Sequence, residues 1–269
     1  MGFVKPNHIY SYSQLSQFDL CPYSFYLSRI EKKDQQENAF AQQGSLIHDL
    51  LDHWAKGDIL RGDLSTVYAE RYPKEVTAEW PKMLAAKGYA EKAFQIGYDY
   101  FENFDEFNGY TVIDTEQKFE TDINGRPFIG IIDMLLKDNK TGEFIILDHK
   151  SKSMSAFKKA QDEMYRQQLL YSKYIKEKYD FYPDRMMFNL FKENGMKFER
   201  PFTKEAFDDA VSWASRVIEK IETFDEFDFL TSKESDFFCQ ELCSVRDHCP
   251  NSVPPKPKPR KKKTSGALL

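Results

Sequence analysis

The stretch FIILDHKSKS, residues 144–153, begins as a buried β-strand and ends in charged residues. Its apolar first part leads directly into Asp148, His149 and Lys150. Side chains alternate between the two faces of a strand, so Asp148 and Lys150 are predicted to point to the same face. A carboxylate and an ammonium group therefore meet at the end of a hydrophobic strand, either as a buried ion pair or as parts of a reactive site.

The preceding predicted strand contributes a second acid. FIGIIDMLL, residues 128–136, is almost entirely apolar, as expected of a strand covered on both faces, yet it contains Asp133. Two carboxylates at the ends of neighbouring strands repel each other unless a cation lies between them. Mg²⁺ suits such a place because it binds one or two carboxylates and otherwise keeps water or phosphate oxygens. Lys150 would then orient or activate an attacking water, or stabilise charge developing on a phosphate.

Four short patterns occur in a fixed order between residues 44 and 171. They are G-x-x-x-H in GSLIHDLL on a predicted helix, G-x-x-D in GIIDMLL, D-x-K in IILDHKS, and Q-x-x-x-Y in YRQQLLYSKY on the following helix. Each pattern alone is weak, but the ordered set resembles the RecB-like branch of the PD-(D/E)XK nuclease superfamily. The resemblance implies an α/β, restriction-endonuclease-like core of helix, three antiparallel strands, helix and strand. It also implies hydrolysis of DNA phosphodiester bonds with Mg²⁺ or Mn²⁺.

The resemblance also implies a set of metal ligands. His48, Asp133 and Asp148 would contribute side chains, and His149 would contribute its main-chain carbonyl group. A lone histidine on an amphipathic helix is more often a surface residue, but the place of His48 within the ordered set favours a ligand, and neutral imidazole is accepted by Mn²⁺. Glu116, on the first predicted strand, is a further candidate for the same site, and the sequence leaves it open.

The remaining implied roles concern catalysis. Lys150 would be the catalytic lysine. Gln167 and Tyr171, which are four residues apart and so share one helical face, would position that lysine or the DNA strand. Gln168 is adjacent to Gln167, and the register between these two glutamines stays open at this point.

Four cysteines occur as one near the start and three near the end of the chain: Cys21, Cys239, Cys243 and Cys249. Zinc sites usually use two close pairs, so this spacing is not typical of zinc. Together with SYSQLSQFDLCPYSFYL, residues 11–27, it resembles the iron–sulfur subset of RecB-like nucleases, which includes AddB-type subunits and CRISPR-associated exonucleases. The resemblance implies a structural [4Fe–4S] cluster bound by the four thiolates. Zinc in the same ligands and four unrelated thiols are the alternatives.

The chain is predicted to form one RecB-like nuclease domain over residues 1–253, with the iron–sulfur clasp joining residue 21 to residues 239–249. Its N-terminal part is an elaborate helical region that includes a helix over residues 12–29. Two strands flank Asn124-Gly125, a strong hairpin signal. Residues 254–269 contain six Lys or Arg among prolines, which predicts a disordered basic tail. Such a tail is a DNA-seeking arm, a localisation signal or a solubilising segment.

Composition restricts the class of protein further. No apolar run is long enough to span a membrane, and no secretory signal precedes the first helix, so a cytoplasmic location inside a cell or an infected host is expected. The net charge of −5 disfavours indiscriminate coating of nucleic acid.

No P-loop occurs, so a stand-alone DNA exonuclease acting on ends or single strands is predicted. A recombination or CRISPR-type protein partner suits the resemblance. The alternatives are a DNA endonuclease, a catalytically silent DNA-binding module and an iron–sulfur redox protein.

Overall fold

A hairpin of long strands forms the centre of the computed structural model, which describes residues 3–5, 7–225 and 237–252. Strands β2 (Tyr110–Ile123) and β3 (Arg126–Asp138) are antiparallel and joined by the predicted two-residue turn. Both turn residues have positive φ, 50° at Asn124 and 80° at Gly125, which suits the right-handed twist of a two-residue hairpin. The hairpin prediction is confirmed. The predicted basic tail, residues 254–269, lies outside the described residues.

The hairpin belongs to a mixed sheet. Strand β4 (Phe144–Lys150) is antiparallel to β3, and β5 (Arg185–Leu190) is parallel to β4. The parallel pairing requires a long crossover, which helix α7 (Met154–Tyr179) provides. Strand β6 (Met196–Pro201) closes one edge, and the short β1 (Tyr10–Ser11) pairs in parallel with the start of β3. The α/β prediction is therefore confirmed, with β1 and β6 as additions.

Two hydrophobic cores cover the two faces of the sheet. The first lies beneath α1 (Tyr12–Leu20), α7 and α8 (Lys204–Thr223). The second lies beneath α3 (Ala39–Lys56), α4 (Leu64–Glu75) and α6 (Tyr89–Glu102). Strand β4 contributes Ile146 to the first core and Ile145 and Leu147 to the second, which explains its continuous apolar sequence. Helices therefore approach the sheet from both sides.

The N-terminal region departs from the prediction of one helix over residues 12–29. Helix α1 ends at Leu20, Cys21 is extended, and α2 (Pro22–Phe25) continues into a π-helical turn, Tyr26–Ile30. Proline explains the break because it lacks the N–H that an uninterrupted helix needs, whereas it is well accommodated at the start of a new one. The break leaves the Cys21 thiol between two helices.

Helix α3 and the C-terminal cysteine segment complete the described structure. Asn38 caps α3, its side-chain oxygen accepting a hydrogen bond from Ala41 N at 3.0 Å. A short helix, α5 (Lys82–Ala85), lies between α4 and α6. The C-terminal segment, residues 237–252, docks near the start of α3, where Gln36 N donates a hydrogen bond to Ser244 O at 2.7 Å. Among the described residues, no helix is both long and apolar enough to cross a bilayer.

Candidate metal and phosphate site

The candidate site lies where strands β3 and β4 separate. Their last ladder pair is Met134 with Leu147, so Asp133 and Asp148 occupy the next register position. There the ladder is replaced by a side-chain bond, in which His149 N donates to Asp133 Oδ2 at 2.8 Å. The two predicted acids are therefore neighbours on adjacent strands, at a gap that helices can reach from both faces of the sheet.

His48 enters this gap from helix α3. Its Nδ1 lies 3.4 Å from Asp133 Oδ2, and its Nε2 donates to the His149 carbonyl oxygen at 3.0 Å. The helix presents His48 to the gap because its apolar neighbours Ile47 and Leu51 are buried in the second core. The His149 ring is buried beside His48, with the two ring centres 5.3 Å apart, and its Nδ1 accepts a hydrogen bond from Asn189 at 2.9 Å. The carbonyl oxygen of His149 is the atom that accepts the hydrogen bond from His48.

Glu116, which the sequence leaves open as a candidate, also lies at this site. Its Oε1 lies 3.8 Å from His48 Nδ1, and one ligand atom from each of His48, Glu116 and Asp133 lies within 4.8 Å of the others. Glu116 has a φ of 45°, a left-handed conformation that is strained for a residue with a Cβ atom. By β2–β3 register it stands opposite Asp133, between the pairs Thr115–Met134 and Gln117–Ile132. Counting outward from the hairpin turn would have found it.

The electrostatics of this group favour a cation. Burial lowers the pKa of His48, but the charges of Asp133, Glu116 and Asp148 outweigh burial and raise it to about 9. Burial, together with the charge of Asp133, raises the pKa of Asp148 to about 6 despite the opposing effect of Lys150. The shift at His48 reflects an excess of negative charge around it, whereas the shift at Asp148 reflects mainly burial. A divalent cation relieves that excess, and the carboxylate, imidazole and carbonyl donors suit Mg²⁺ or Mn²⁺.

Lys150 connects the acids to helix α7. Its Nζ lies 2.7 Å from Asp148 Oδ2 and donates to Gln167 Oε1 at 3.4 Å, while Gln167 Nε2 donates to the Tyr171 hydroxyl at 3.1 Å. Burial lowers the pKa of Lys150, but the carboxylates of Asp148 and Asp133 raise it overall, so the amine is held as an ammonium group. Asp148 Oδ2 is therefore paired with the Lys150 ammonium group, although the contact is not aligned as a hydrogen bond.

Helix register resolves the choice between the two glutamines. Gln168 is buried and its Nε2 donates to Met187 O at 3.2 Å, so it points into the core rather than toward Lys150. Gln167 is the glutamine that reaches the site. The four-residue spacing to Tyr171 had favoured Gln167 in the sequence, with Gln168 as the alternative register.

The two motif glycines have different steric surroundings. A Cβ atom at Gly130 would lie 2.5 Å from Phe119 Cζ and 2.9 Å from Tyr171 Cε1, both inside van der Waals contact. A Cβ atom at Gly44 would meet only Ser151, at 3.8 Å. Gly130 therefore permits the close approach of Tyr171 to the sheet, whereas Gly44 leaves open space beside the gap.

These surroundings predict opposite effects on stability. We expect Gly130→Ala to lower the free energy of unfolding by about 1–3 kcal/mol, because it overpacks two aromatic rings. We expect Gly44→Ala to raise it by about 0.5–1 kcal/mol, because alanine replaces a glycine inside helix α3. Urea denaturation of both variants measures the two changes. Equal destabilisation by both would contradict this account of Gly130.

A cleft of about 1220 Å³ opens onto the site. It runs between helix α3 and the outer ends of β2 and β3, and it is large enough for several nucleotide units rather than a lone ion. The predicted residues on its wall are His48, Asp133, Asp148, Lys150, Gln167 and Tyr171, with Glu116 beside them. His149 is absent from the wall because its side chain is buried.

The four cysteines lie at the junction of the N-terminal helices and the C-terminal segment. All are half-buried and none is in a disulfide. Burial raises the pKa of the Cys243 thiol, and the charges of Cys21, Cys249 and Cys239 raise it further, so the four thiols are within electrostatic range. Among the described residues, no three of their sulfur atoms lie within 4.8 Å of one another. One zinc ion, bound at about 2.3 Å, would need shorter separations than that.

Comparisons with known proteins give three findings. A family model described as the PD-(D/E)XK nuclease superfamily matches residues 9–250. A crystal structure from Eubacterium rectale, of a protein provisionally named an exonuclease, is similar at 14% identity and a TM-score of 0.49. The alignment covers 96% of this chain and 93% of that one. No curated protein matches the chain.

Proposed function

Because the chain belongs to the PD-(D/E)XK nuclease superfamily, we propose that it is a Mg²⁺- or Mn²⁺-dependent deoxyribonuclease. The observation that supports this most is the convergence of His48, Glu116 and Asp133 beside the Asp148–Lys150 pair. His48 comes from helix α3, far away in sequence, whereas Glu116 and Asp133 come from the two strands of the hairpin. A simple ion pair needs only one acid and one base, whereas several acidic oxygens around one point suit a divalent cation.

Each side chain has a task in phosphodiester hydrolysis. His48, Glu116, Asp133 and the His149 carbonyl offer the donor atoms for a divalent ion, which supplies an activated water and polarises the phosphate when bound. The Lys150 ammonium would stabilise the negative charge that develops on the phosphate oxygens. Gln167 accepts a hydrogen bond from that ammonium group on the side of helix α7. Gln167 in turn donates a hydrogen bond to the Tyr171 hydroxyl group. Asp148 keeps Lys150 charged and adds a further oxygen ligand beside the gap.

The mode of cleavage is proposed to be exonucleolytic, on DNA ends or single strands. The RecB-like order of the motifs supports this mode. The test is Mn²⁺-dependent digestion of labelled linear, end-blocked linear and circular DNA. We expect digestion of linear DNA with free ends and no digestion of end-blocked or circular DNA. Digestion of circles would instead indicate an endonuclease, and binding without digestion of any substrate would indicate a catalytically silent DNA-binding module.

Glu116 should contribute to metal affinity. We expect Glu116→Gln to raise the Mn²⁺ concentration for half-maximal digestion by about 10-fold or more, the scale seen when groups that support a metal are removed. Glu120→Gln is the matched control, since Glu120 lies on the same strand and cleft wall but outside the ligand group. An unchanged Mn²⁺ requirement in Glu116→Gln would remove this residue from the site.

We also propose that the four cysteines hold a [4Fe–4S] cluster, as in the iron–sulfur subset of RecB-like nucleases. Their order in the chain, with one cysteine at residue 21 and three between residues 239 and 249, supports this assignment. The cluster would join Cys21 to the C-terminal segment and make residues 1–253 one cooperative unit. Iron and sulfide assays on anaerobically prepared protein test the assignment, and a zinc-only result would reject it.

A further inference from the structure

A second group of cationic side chains adjoins the cleft, beyond the catalytic centre. Lys152 follows cleft-lining Ser151, and Lys192 lies in the turn after strand β5. Both are half-buried. The pKa of Lys192 falls to about 8 because of burial and the nearby charge of Lys152. The pKa of Lys152 is lowered by burial and by Lys150, against a raising effect of Glu163. The charges of Lys150, Lys152 and Lys192 therefore act on one another beside the cleft.

The charges of the two outer lysines are not offset by an acid among the described residues. Within residues 3–5, 7–225 and 237–252, no carboxylate lies within 4.0 Å of Lys152 Nζ or Lys192 Nζ. Glu193, next to Lys192, is already used, since its Oε1 accepts a hydrogen bond from Met154 N at 2.6 Å. Two partly desolvated cations that repel each other destabilise the free protein unless an anion joins them. The arrangement therefore differs from a structural ion pair and leaves both lysines able to bind an anion.

Aromatic rings surround the outer lysine. Lys192 Nζ lies 4.2 Å from the ring centre of Phe40 and donates to the Tyr89 hydroxyl at 3.4 Å. Trp80 completes the cluster, with ring centres 4.8 Å from Phe40 and 5.2 Å from Tyr89. All three rings are half-buried, and Phe40 also lines the cleft. Half-buried rings next to lysines without a carboxylate partner suit the bases and phosphates of an unpaired strand.

We propose that Lys152, Lys192 and the cluster of Phe40, Trp80 and Tyr89 form a single-strand binding site. One or two phosphates next to the scissile one would bind the two lysines, and an unstacked base would pack on the aromatic cluster. The inference rests on the proposed nuclease function and specifies its substrate as DNA that is single-stranded beside the cleavage point. A duplex offers its phosphates but keeps its bases stacked inside, so it cannot use the aromatic part.

The test is equilibrium binding of a fluorescent oligothymidylate of about 12 nucleotides, a length within known single-strand site sizes. It is measured by anisotropy in EDTA, so that no digestion is needed. We expect the Lys152→Gln/Lys192→Gln double variant to bind at least about 10-fold more weakly. Its logarithmic salt slope should fall by about 1.4, because each phosphate contact contributes about 0.7. Trp80→Ala should bind about fivefold or more weakly, the loss of one stacked base.

Controls separate this site from general charge and from misfolding. Lys220→Gln removes one exposed lysine on α8, distant from the cleft, and should bind like the unmodified chain. The Lys152→Arg/Lys192→Arg double variant keeps both charges. Its affinity for the oligothymidylate should stay within about twofold of that of the unmodified chain. A blunt duplex should lose much less affinity than the single strand in the lysine and tryptophan variants.

The outcomes distinguish the two proposals. Unchanged oligothymidylate binding in the lysine double variant, or equal losses for duplex and single strand, would overturn the single-strand site even if the chain digests DNA. Loss of single-strand binding in the variants of a chain that digests nothing would support the site and reject the nuclease proposal. Binding that depends on the lysines but not on Trp80 would also overturn the proposal, since the aromatic cluster would then have no part.

Discussion

Lys150→Ala is expected to lower Mn²⁺-dependent digestion of single-stranded DNA by at least about 10²–10³-fold, the range for removal of one group that stabilises transition-state charge. The reason is positional. Lys150 is the ammonium group that strand β4 directs into the cleft beside Asp148, and Gln167 holds it from helix α7. Initial rates over a range of Mn²⁺ concentrations measure the loss, because added metal restores a weakened ligand set but not a missing lysine.

The matched control for this variant is Lys173→Ala. Lys173 is also ion-paired with an aspartate, Asp122 at 2.8 Å, and has a similar side-chain exposure of 25% against 19% for Lys150. It lies outside the cleft wall, so its loss should leave digestion unchanged. Thermal unfolding of both variants excludes misfolding. Full activity of Lys150→Ala, or equal losses in both variants, would show that the catalytic centre is assigned wrongly.

Cys21→Ser is expected to lower the free energy of unfolding by about 4–5 kcal/mol, the entropic scale of cross-links that close very long loops. A cluster held by Cys21 and the C-terminal thiols would close a loop from residue 21 to residue 239. Without it, only contacts such as the bond from Gln36 N to Ser244 O keep the C-terminal segment in place. The loss of stability should be accompanied by loss of iron, of sulfide and of the absorbance at about 400 nm that is expected of a bound iron–sulfur cluster.

Additivity separates a shared cluster from independent packing. If the thiols act through one cluster, the double variant Cys21→Ser/Cys249→Ser should be no less stable than either single variant. If each cysteine only packs locally, the two losses should add. Additive losses, or an iron-free chain that unfolds like the unmodified one, would reject the cluster. Neither result depends on digestion, so this prediction stands apart from that for Lys150.

The sequence specified the hairpin and the acids within it. Asn124 and Gly125 have the positive φ values that a two-residue turn requires, and this turn sets the register of β2 against β3. That register places Glu116 opposite Asp133, so the third acid was encoded in the sequence, although the sequence reasoning left it open. The apolar run into Asp148 likewise specified a strand buried on both faces, because nothing else explains Ile145, Ile146 and Leu147 in succession.

Prediction of helix ends was less accurate than prediction of strands. The expected helix over residues 12–29 is broken at Cys21, because Pro22 starts a new helix rather than continuing the old one. Periodicity alone predicted the apolar positions on both sides of this break, but it could not predict that the chain changes direction there. The break has a consequence for the cysteines, since it leaves the first thiol exposed enough to face the C-terminal segment.

Only the tertiary structure decided which residues meet. Sequence periodicity fixes the face of a residue within its own helix or strand, and so it placed His48, Asp148 and Gln167 each on one face. The distances between elements depend instead on how two cores pack helices onto opposite sides of one sheet. That packing brought His48 within 3.4 Å of Asp133, chose Gln167 over Gln168, and gathered Phe40, Trp80 and Lys192, for which no sequence pattern existed.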